Sequence, residues 1–133
     1  MWLYRDKEIT SDEIEGYIGF VYIITNTVNG RKYIGKKVFS FIKSKKLKGK
    51  TRRTRTKTES DWKDYYGSNK VLQADIEKHG KDNFSRQILH LCKTKGTASY
   101  LELREQILQN AIVDPEFYND QIYARIHRAH IKI

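Results

Sequence analysis

Tyr22 and Tyr33 stand eleven positions apart in the segment GFVYIITNTVNGRKYIGKK, residues 19 to 37. Two phenols on one surface can serve one site. Val21 and Ile23 alternate with Tyr22 and Ile24, and Lys32, Tyr33 and Ile34 lead into Gly35, which predicts a β-hairpin with its turn at Asn29-Gly30. Facing residues of an antiparallel pair have a constant sum, and a loop of two or four residues makes that sum odd. Even positions before the turn then share a face with odd positions after it, so Tyr22 and Tyr33 point the same way. With four loop residues they are diagonal cross-strand neighbours, roughly 7–8 Å apart. An ordinary aromatic ladder is the alternative, because aromatics favour strands anyway.

Among the carboxylates Glu105 stands out. A helix is expected from Thr97 or Ser99, where Ser99-x-x-Glu102 fits a capping box, to about Val113 before Pro115. On its wheel Leu101, Ile107, Leu108, Ala111 and Ile112 form the buried arc, with Glu105 at the edge. Glu102 instead shares a polar row with Ser99, Gln106 and Gln109. A carboxylate bordered by aliphatics needs a cation. Arg104 is one partner, and a divalent metal is an equally good one. Asp75 and Glu77 lie on another helix and read as surface residues.

These groups must be positioned by a small fold. The 133 residues, with one proline and 38% hydrophobic side chains, fit one domain with a real core. No apolar run suits a membrane span or secretory signal, so a soluble, intracellular protein is expected. Cys92, the lone cysteine, reads as a small buried hydrophobe. The net charge is +10, and residues 31 to 57 hold thirteen of the 26 Lys and Arg with no Asp or Glu. Such a block repels itself unless a polyanion neutralises it, which points to nucleic acid. A solvated loop or a localisation signal is the alternative.

Along the chain, Trp2 to Ile9 is expected as a short edge strand, and Thr10 to Glu13 as the cap of a helical turn ending at Gly16. Val38, Phe39, Phe41, Ile42 and Leu47 suggest a helix, and Lys48 to Ser60 a loop. Ser68 reads as the N-cap of a helix through Val71, Leu72, Ala74 and Ile76 that stops at Gly80. Phe84 to Leu91 is the third strand.

Phe20-Val21-Tyr22, ten residues, then Tyr33-Ile34-Gly35 resembles the signature of the GIY-YIG nucleases. Lys36 resembles the basic residue that follows this signature in repair-type members, Glu105 the family's metal-binding glutamate, and Tyr118-Asn119 its late asparagine. Gly16-Tyr17-Ile18-Gly19 also holds Y-I-G but precedes the hairpin. The resemblance covers about residues 19 to 119. It implies an α/β (α+β) fold, a small three-stranded antiparallel sheet flanked by helices. Residues 1–133 would form one such domain, with a basic insert at about 43–60 and a short basic extension at 120–133.

The implied activity is DNA endonuclease, cutting a phosphodiester with one Mg²⁺ or Mn²⁺ held by Glu105. Tyr22 would be the general base, its phenolate favoured by Lys36 and the metal. Tyr33 would orient water or phosphate, and Asn119 would position backbone or phosphate. The position resembling the family's arginine is Lys43, which keeps charge but loses bidentate recognition. Arg52, Arg53 or Arg55 could supply the guanidinium, and Tyr66 is the candidate phenol beside the phosphate. His127 and His130 have a spacing that suggests zinc only weakly, without accompanying cysteines or carboxylates. A monomer or homodimer is expected, cytoplasmic in a bacterial host if the gene is a phage's. The competing expectations are a binding module that has lost cleavage, and an RNA-binding protein that stacks bases on Trp62, Tyr65 and Tyr66.

Overall fold

A computed structural model describes residues 1–46, 49 and 53–133, and of residues 42–46 and 53–55 the backbone alone. The chain runs β1 (Trp2–Tyr4), β2 (Lys7–Glu8), β3 (Gly19–Asn26), β4 (Lys32–Val38), β5 (Ser40–Lys46), β6 (Arg53–Glu59), α1 (Lys70–His79), β7 (Phe84–Cys92) and α2 (Lys95–Leu108). Five strands form one sheet in the order β2-β1-β7-β3-β4. The expected three-stranded antiparallel sheet is its β7-β3-β4 part, and β1 extends it by pairing parallel to β7. The N-terminal segment folds back as a hairpin rather than one strand, because Arg5 and Asp6 both take positive φ, 51° and 65°. Two consecutive left-handed residues make the turn that matches strand twist.

The β3–β4 hairpin has the anticipated odd register, with Tyr22 opposite Gly35 and Ile24 opposite Tyr33. Asn26 N–H donates to Arg31 C=O at 2.8 Å, closing a four-residue loop with Gly30 at φ 77°. On the other side of β3 the register to β7 shifts between Val21 and Tyr22, a bulge beside the first signature tyrosine.

The helix expected over residues 38 to 47 and the loop expected over 48 to 60 are corrected by the structure at the described residues, residues 47, 48 and 50–52 lying outside them. Ser40–Lys46 and Arg53–Glu59 pair antiparallel as a separate two-stranded ribbon. Threonines at 54, 56 and 58 alternate with Arg53, Arg55 and Lys57, a strand pattern that hydropathy misses because neither set is apolar. The ribbon springs from a fixed root. Ser60 N–H donates to Phe39 C=O at 2.8 Å, and the Phe39 and Trp62 rings meet edge-on at 5.0 Å in the core.

Side chains pack on both faces of the sheet. Trp2, Phe20, Tyr22, Ile24, Leu72 and Trp62 belong to one cluster; Val21, Ile34, Ala98, Leu101 and Phe117 belong to the other. Helix α1 is capped by Asn69, whose side chain accepts from the Val71 and Leu72 N–H groups, one residue after the expected cap. Helix α2 starts after Thr94 and ends at Leu108, not Val113. The predicted arc is therefore only partly buried. Leu101 and Ala111 are covered, whereas Ile107 is 57% and Leu108 65% exposed, and Gln106 is buried in their stead. The C-terminal residues strap across the start of α2, where Thr94 Oγ1 donates to His130 C=O and Lys132 N–H donates to Thr97 Oγ1. No helix among the described residues is long and apolar enough to cross a membrane.

Candidate active site

The tyrosine pair is assembled by the hairpin register. Tyr22 and Tyr33 lie diagonally across β3–β4 with ring centroids 6.2 Å apart, and Tyr65 meets the Tyr22 ring edge-on at 6.0 Å. The Tyr22 hydroxyl lies over Gly35. A Cβ at residue 35 would fall on that hydroxyl, 2.7 Å from Tyr22 Cζ and 3.0 Å from Tyr33 Cε2. The glycine of the Tyr-Ile-Gly triplet is thus the floor on which both phenols rest. Gly35→Ala is expected to destabilise the fold by about 1–3 kcal/mol through overpacking and to displace Tyr22. Denaturant unfolding checks it, and a change under about 0.5 kcal/mol would show that the phenols do not rest on this floor.

Strand β4 is the outermost of the sheet, and residues 116–119 cover part of its free edge. Lys32 N–H donates to Glu116 C=O at 2.9 Å and Tyr118 N–H to Lys32 C=O at 2.7 Å. At Ile34 the side chain of Asn119 takes over, accepting from its N–H at 3.0 Å and donating to its C=O at 2.8 Å. An amide can donate and accept at once, so asparagine stands in for a peptide unit. The next outward-facing backbone pair, that of Lys36, has no partner among the described residues. Asn119→Ala is expected to cost about 1–3 kcal/mol in thermal or denaturant unfolding, because it strands buried Ile34 groups. A near-neutral result would remove this structural role.

Where the edge cover ends, a cleft of about 170 Å³ opens, lined by Tyr33, Ser68, Glu102, Gln106, Asn119 and Asp120 among others. It straddles the sheet edge. Tyr33 and Ser68 come from the α1 side, their hydroxyls 3.4 Å apart, and Glu102 and Gln106 come from α2 on the other face. Larger clefts elsewhere, such as one of about 530 Å³ lined by Tyr4, Gln87, His90 and Lys132, contain neither Tyr33 nor Glu102.

The helical row Ser99, Glu102, Gln106 runs along β4. Lys36 Nζ donates to Ser99 Oγ at 2.6 Å, Gln106 Nε2 donates to Ile34 C=O at 3.2 Å, and Glu102 stands between them. Burial pushes the Glu102 carboxyl above the ordinary carboxylate range, with the Lys36 ammonium pulling the other way. Glu105 points elsewhere. Its carboxylate meets His90 Nε2 at 2.9 Å and accepts from Gln109 Nε2 at 2.8 Å. Burial raises its pKa, but these hydrogen bonds outweigh burial and hold it below the usual value. Its partner is thus His90, neither Arg104 nor the residues of the cleft. The informative pattern was Ser99-x-x-Glu102-x-x-x-Gln106, a polar row facing a strand that carries Lys36.

The remaining expected residues divide. Lys36 lies beside Glu102; burial, Tyr65, Tyr33 and Glu102 together push the Tyr22 pKa well above that of a free phenol, and Lys36 is not among these influences. Tyr33 is raised too, by burial first, with Ser68 opposing. Tyr66 packs under the Arg86 guanidinium at 4.1 Å, whereas its neighbour Tyr65 faces Tyr22 and carries the Lys37 ammonium 4.1 Å above its ring. Residue 43 lies on β5 rather than on a helix. Arg52 lies outside the described residues, as do the side chains of Lys43, Arg53 and Arg55. His127 Nδ1 accepts from Ala129 N–H, in the C-terminal strap.

Among the described residues no three or more His, Cys, Asp and Glu side chains gather into a metal cage. A hard cation at this cleft would take one or two carboxylate oxygens and complete its shell with water and phosphate oxygens, as Mg²⁺ does at phosphoryl-transfer sites. Glu102 suits that demand, being a half-buried carboxylate with a raised pKa and no hydrogen bond contributing to its charge state.

The family described as "Putative endonuclease segE, GIY-YIG domain" matches residues 2–122. A curated relative, "Putative endonuclease segE" of Enterobacteria phage T4, is 37% identical over 101 residues, covering 75% of this chain and 39% of the relative. The chain thus spans about two fifths of that relative's length. No solved structure gives a significant match. The signature hairpin, its tyrosine pair over Gly35 and a match over nearly the whole chain agree: the protein belongs to the GIY-YIG family, in the group described by segE.

Proposed function

We propose that the chain is a metal-dependent DNA endonuclease whose cleft at the β4 edge hydrolyses a phosphodiester. The observation that carries this reading is the meeting of Tyr33, Glu102 and Asn119 around one cleft, with Tyr22 directly behind. Glu102 takes the role that the resemblance gave to Glu105, because Glu105 is engaged by His90 and Gln109. Mg²⁺ or Mn²⁺ held by Glu102 supplies neutralisation of charge on a phosphate oxygen. The Lys36 N–H, without a partner among the described residues, and its ammonium donate to the phosphate. Tyr33, at the cleft wall, orients the attacking water or phosphate. Tyr22, 1% exposed behind Tyr33, would take the water's proton only as its phenolate, and its raised pKa makes that form scarce near neutrality. Asn119 holds Ile34, and hence the height of the strand that carries these groups.

A binding module that has lost cleavage is the second reading, favoured by lysine on a strand where the family arginine is expected on a helix. Supercoiled plasmid incubated in Mg²⁺, Mn²⁺ or EDTA separates the two. Nicking or linearisation that EDTA stops supports the endonuclease; retardation of DNA at low salt without any cut supports the binding module.

A further inference from the structure

We propose that the β5–β6 ribbon is a groove-reading arm that docks in the major groove of duplex DNA beside the cut. This inference rests on the reading that DNA is the substrate, and it names the surface that holds and registers it.

The ribbon is a sheet separate from the main one, its two strands paired only with each other among the described residues. An isolated two-stranded hairpin is at best marginally stable in water. Here its charge works against it as well. The two strands carry Lys43, Lys45, Lys46, Arg53, Arg55 and Lys57 against a single Glu59 at the root, and register sets Lys46 opposite Arg53. Like charges at facing positions are destabilising, so this element is built to meet a polyanion rather than to stabilise itself.

Its dimensions fit one particular polyanion. The major groove is about 12 Å wide and admits a two-stranded ribbon, whereas the minor groove, about 6 Å wide, does not. Strand periodicity assigns Arg53, Arg55 and Lys57 to positions on one face and Thr54, Thr56 and Thr58 to the other. Arginine and lysine neutralise the phosphates that wall the groove and also read guanine edges, and threonine meets either a base edge or a thymine methyl. The arm is also aimed from the catalytic strand, since only Phe39 separates β4 from β5 and that residue is fixed in the core. Between ribbon root and α2 lies a cleft of about 320 Å³ lined by Lys36, Lys37, Lys95 and Phe41, with Phe41 44% exposed. Lysines flanking an exposed aromatic suit a phosphate strand passing from the catalytic cleft to the arm. Seven residues at about 3.4 Å each give the arm a reach of about seven base pairs.

The test compares the full-length wild type with the triple variant Arg53→Gln, Arg55→Gln, Lys57→Gln. Binding to a 40-base-pair duplex is measured by fluorescence anisotropy in EDTA across salt concentrations, with thermal melting to confirm that both proteins fold. The wild-type slope of log K against log salt is expected to fall by about 2–3 in the variant. Guanines whose N7 methylation blocks wild-type binding are expected within about seven base pairs on one side of the cleavage point. An unchanged slope, interference confined to the cut itself, or a variant that loses single-stranded RNA binding more than duplex binding would overturn the arm. A wild type that binds duplex with this slope but never cuts plasmid would instead remove the endonuclease reading and leave the arm standing.

Discussion

Glu102→Gln is expected to lower plasmid cleavage by about 10²–10³-fold while leaving the fold at least as stable as the wild type in EDTA. The size follows from removing the carboxylate that would hold the metal, a loss of about 3–4 kcal/mol of transition-state stabilisation at 1.36 kcal/mol per decade. The stability arm follows from its pKa. Burial raises the Glu102 carboxyl, so the folded state holds its proton more tightly than the unfolded chain does. The stability this lends is fully present below the ordinary glutamic acid pKa and is lost as pH rises through the raised value. At neutral pH the wild type therefore keeps a charge that burial disfavours, and glutamine relieves it. Added Mg²⁺ should raise the melting temperature of the wild type and not of the variant. A residue needed only for structure would lose stability on substitution. Loss of both stability and cleavage would count against the metal role.

The second large effect concerns Tyr22. Tyr22→Phe keeps the buried ring and removes the hydroxyl over Gly35, so cleavage should fall by about 10²–10⁴-fold with little change in fold. In the wild type the logarithm of the rate should climb by about one per pH unit between pH 7 and 9, because a phenol held well above its ordinary pKa is ionised in proportion to hydroxide. The same raised value means that fold stability is lost as pH rises from the ordinary phenol pKa toward the folded one, which sets the upper end of the usable range. The variant should lose the slope along with the rate. If Tyr33→Phe removes the slope while Tyr22→Phe retains it, Tyr33 is the base and Tyr22 only its support.

The tyrosine geometry was legible from sequence because it depends on local rules. An Asn-Gly turn and the period of two fix the register, and the register alone decides that Tyr22 meets Gly35 and stacks diagonally on Tyr33. Asn119 was singled out only by the family resemblance, and its partner was not legible, since pairing an amide with Ile34 requires the 116–119 segment to lie on the β4 edge. That Glu102 lines the cleft while Glu105 turns to His90 was not legible from a hydrophobic wheel. That wheel assumes that apolar residues face inward, whereas α2 turns Gln106 inward to reach Ile34 C=O and leaves Ile107 and Leu108 in solvent. A glutamine satisfied by a strand carbonyl is buried at little cost, and hydropathy cannot register that. The ribbon was missed for a related reason: the alternation of Arg or Lys with Thr over residues 53–58 is strand-like in its period but empty of apolar residues. The N-terminal hairpin depended on Arg5 and Asp6 adopting a conformation that neither strongly prefers.

We propose that the cleft at the β4 edge cuts DNA with Glu102 as its metal-holding carboxylate. The most direct measurement incubates supercoiled plasmid in Mg²⁺ with the wild type, Glu102→Gln and Glu105→Ala side by side. The wild type and Glu105→Ala are expected to nick or linearise the plasmid, and Glu102→Gln is expected to leave it intact. Cleavage by Glu102→Gln at the wild-type rate, or its loss in Glu105→Ala alone, would contradict that assignment.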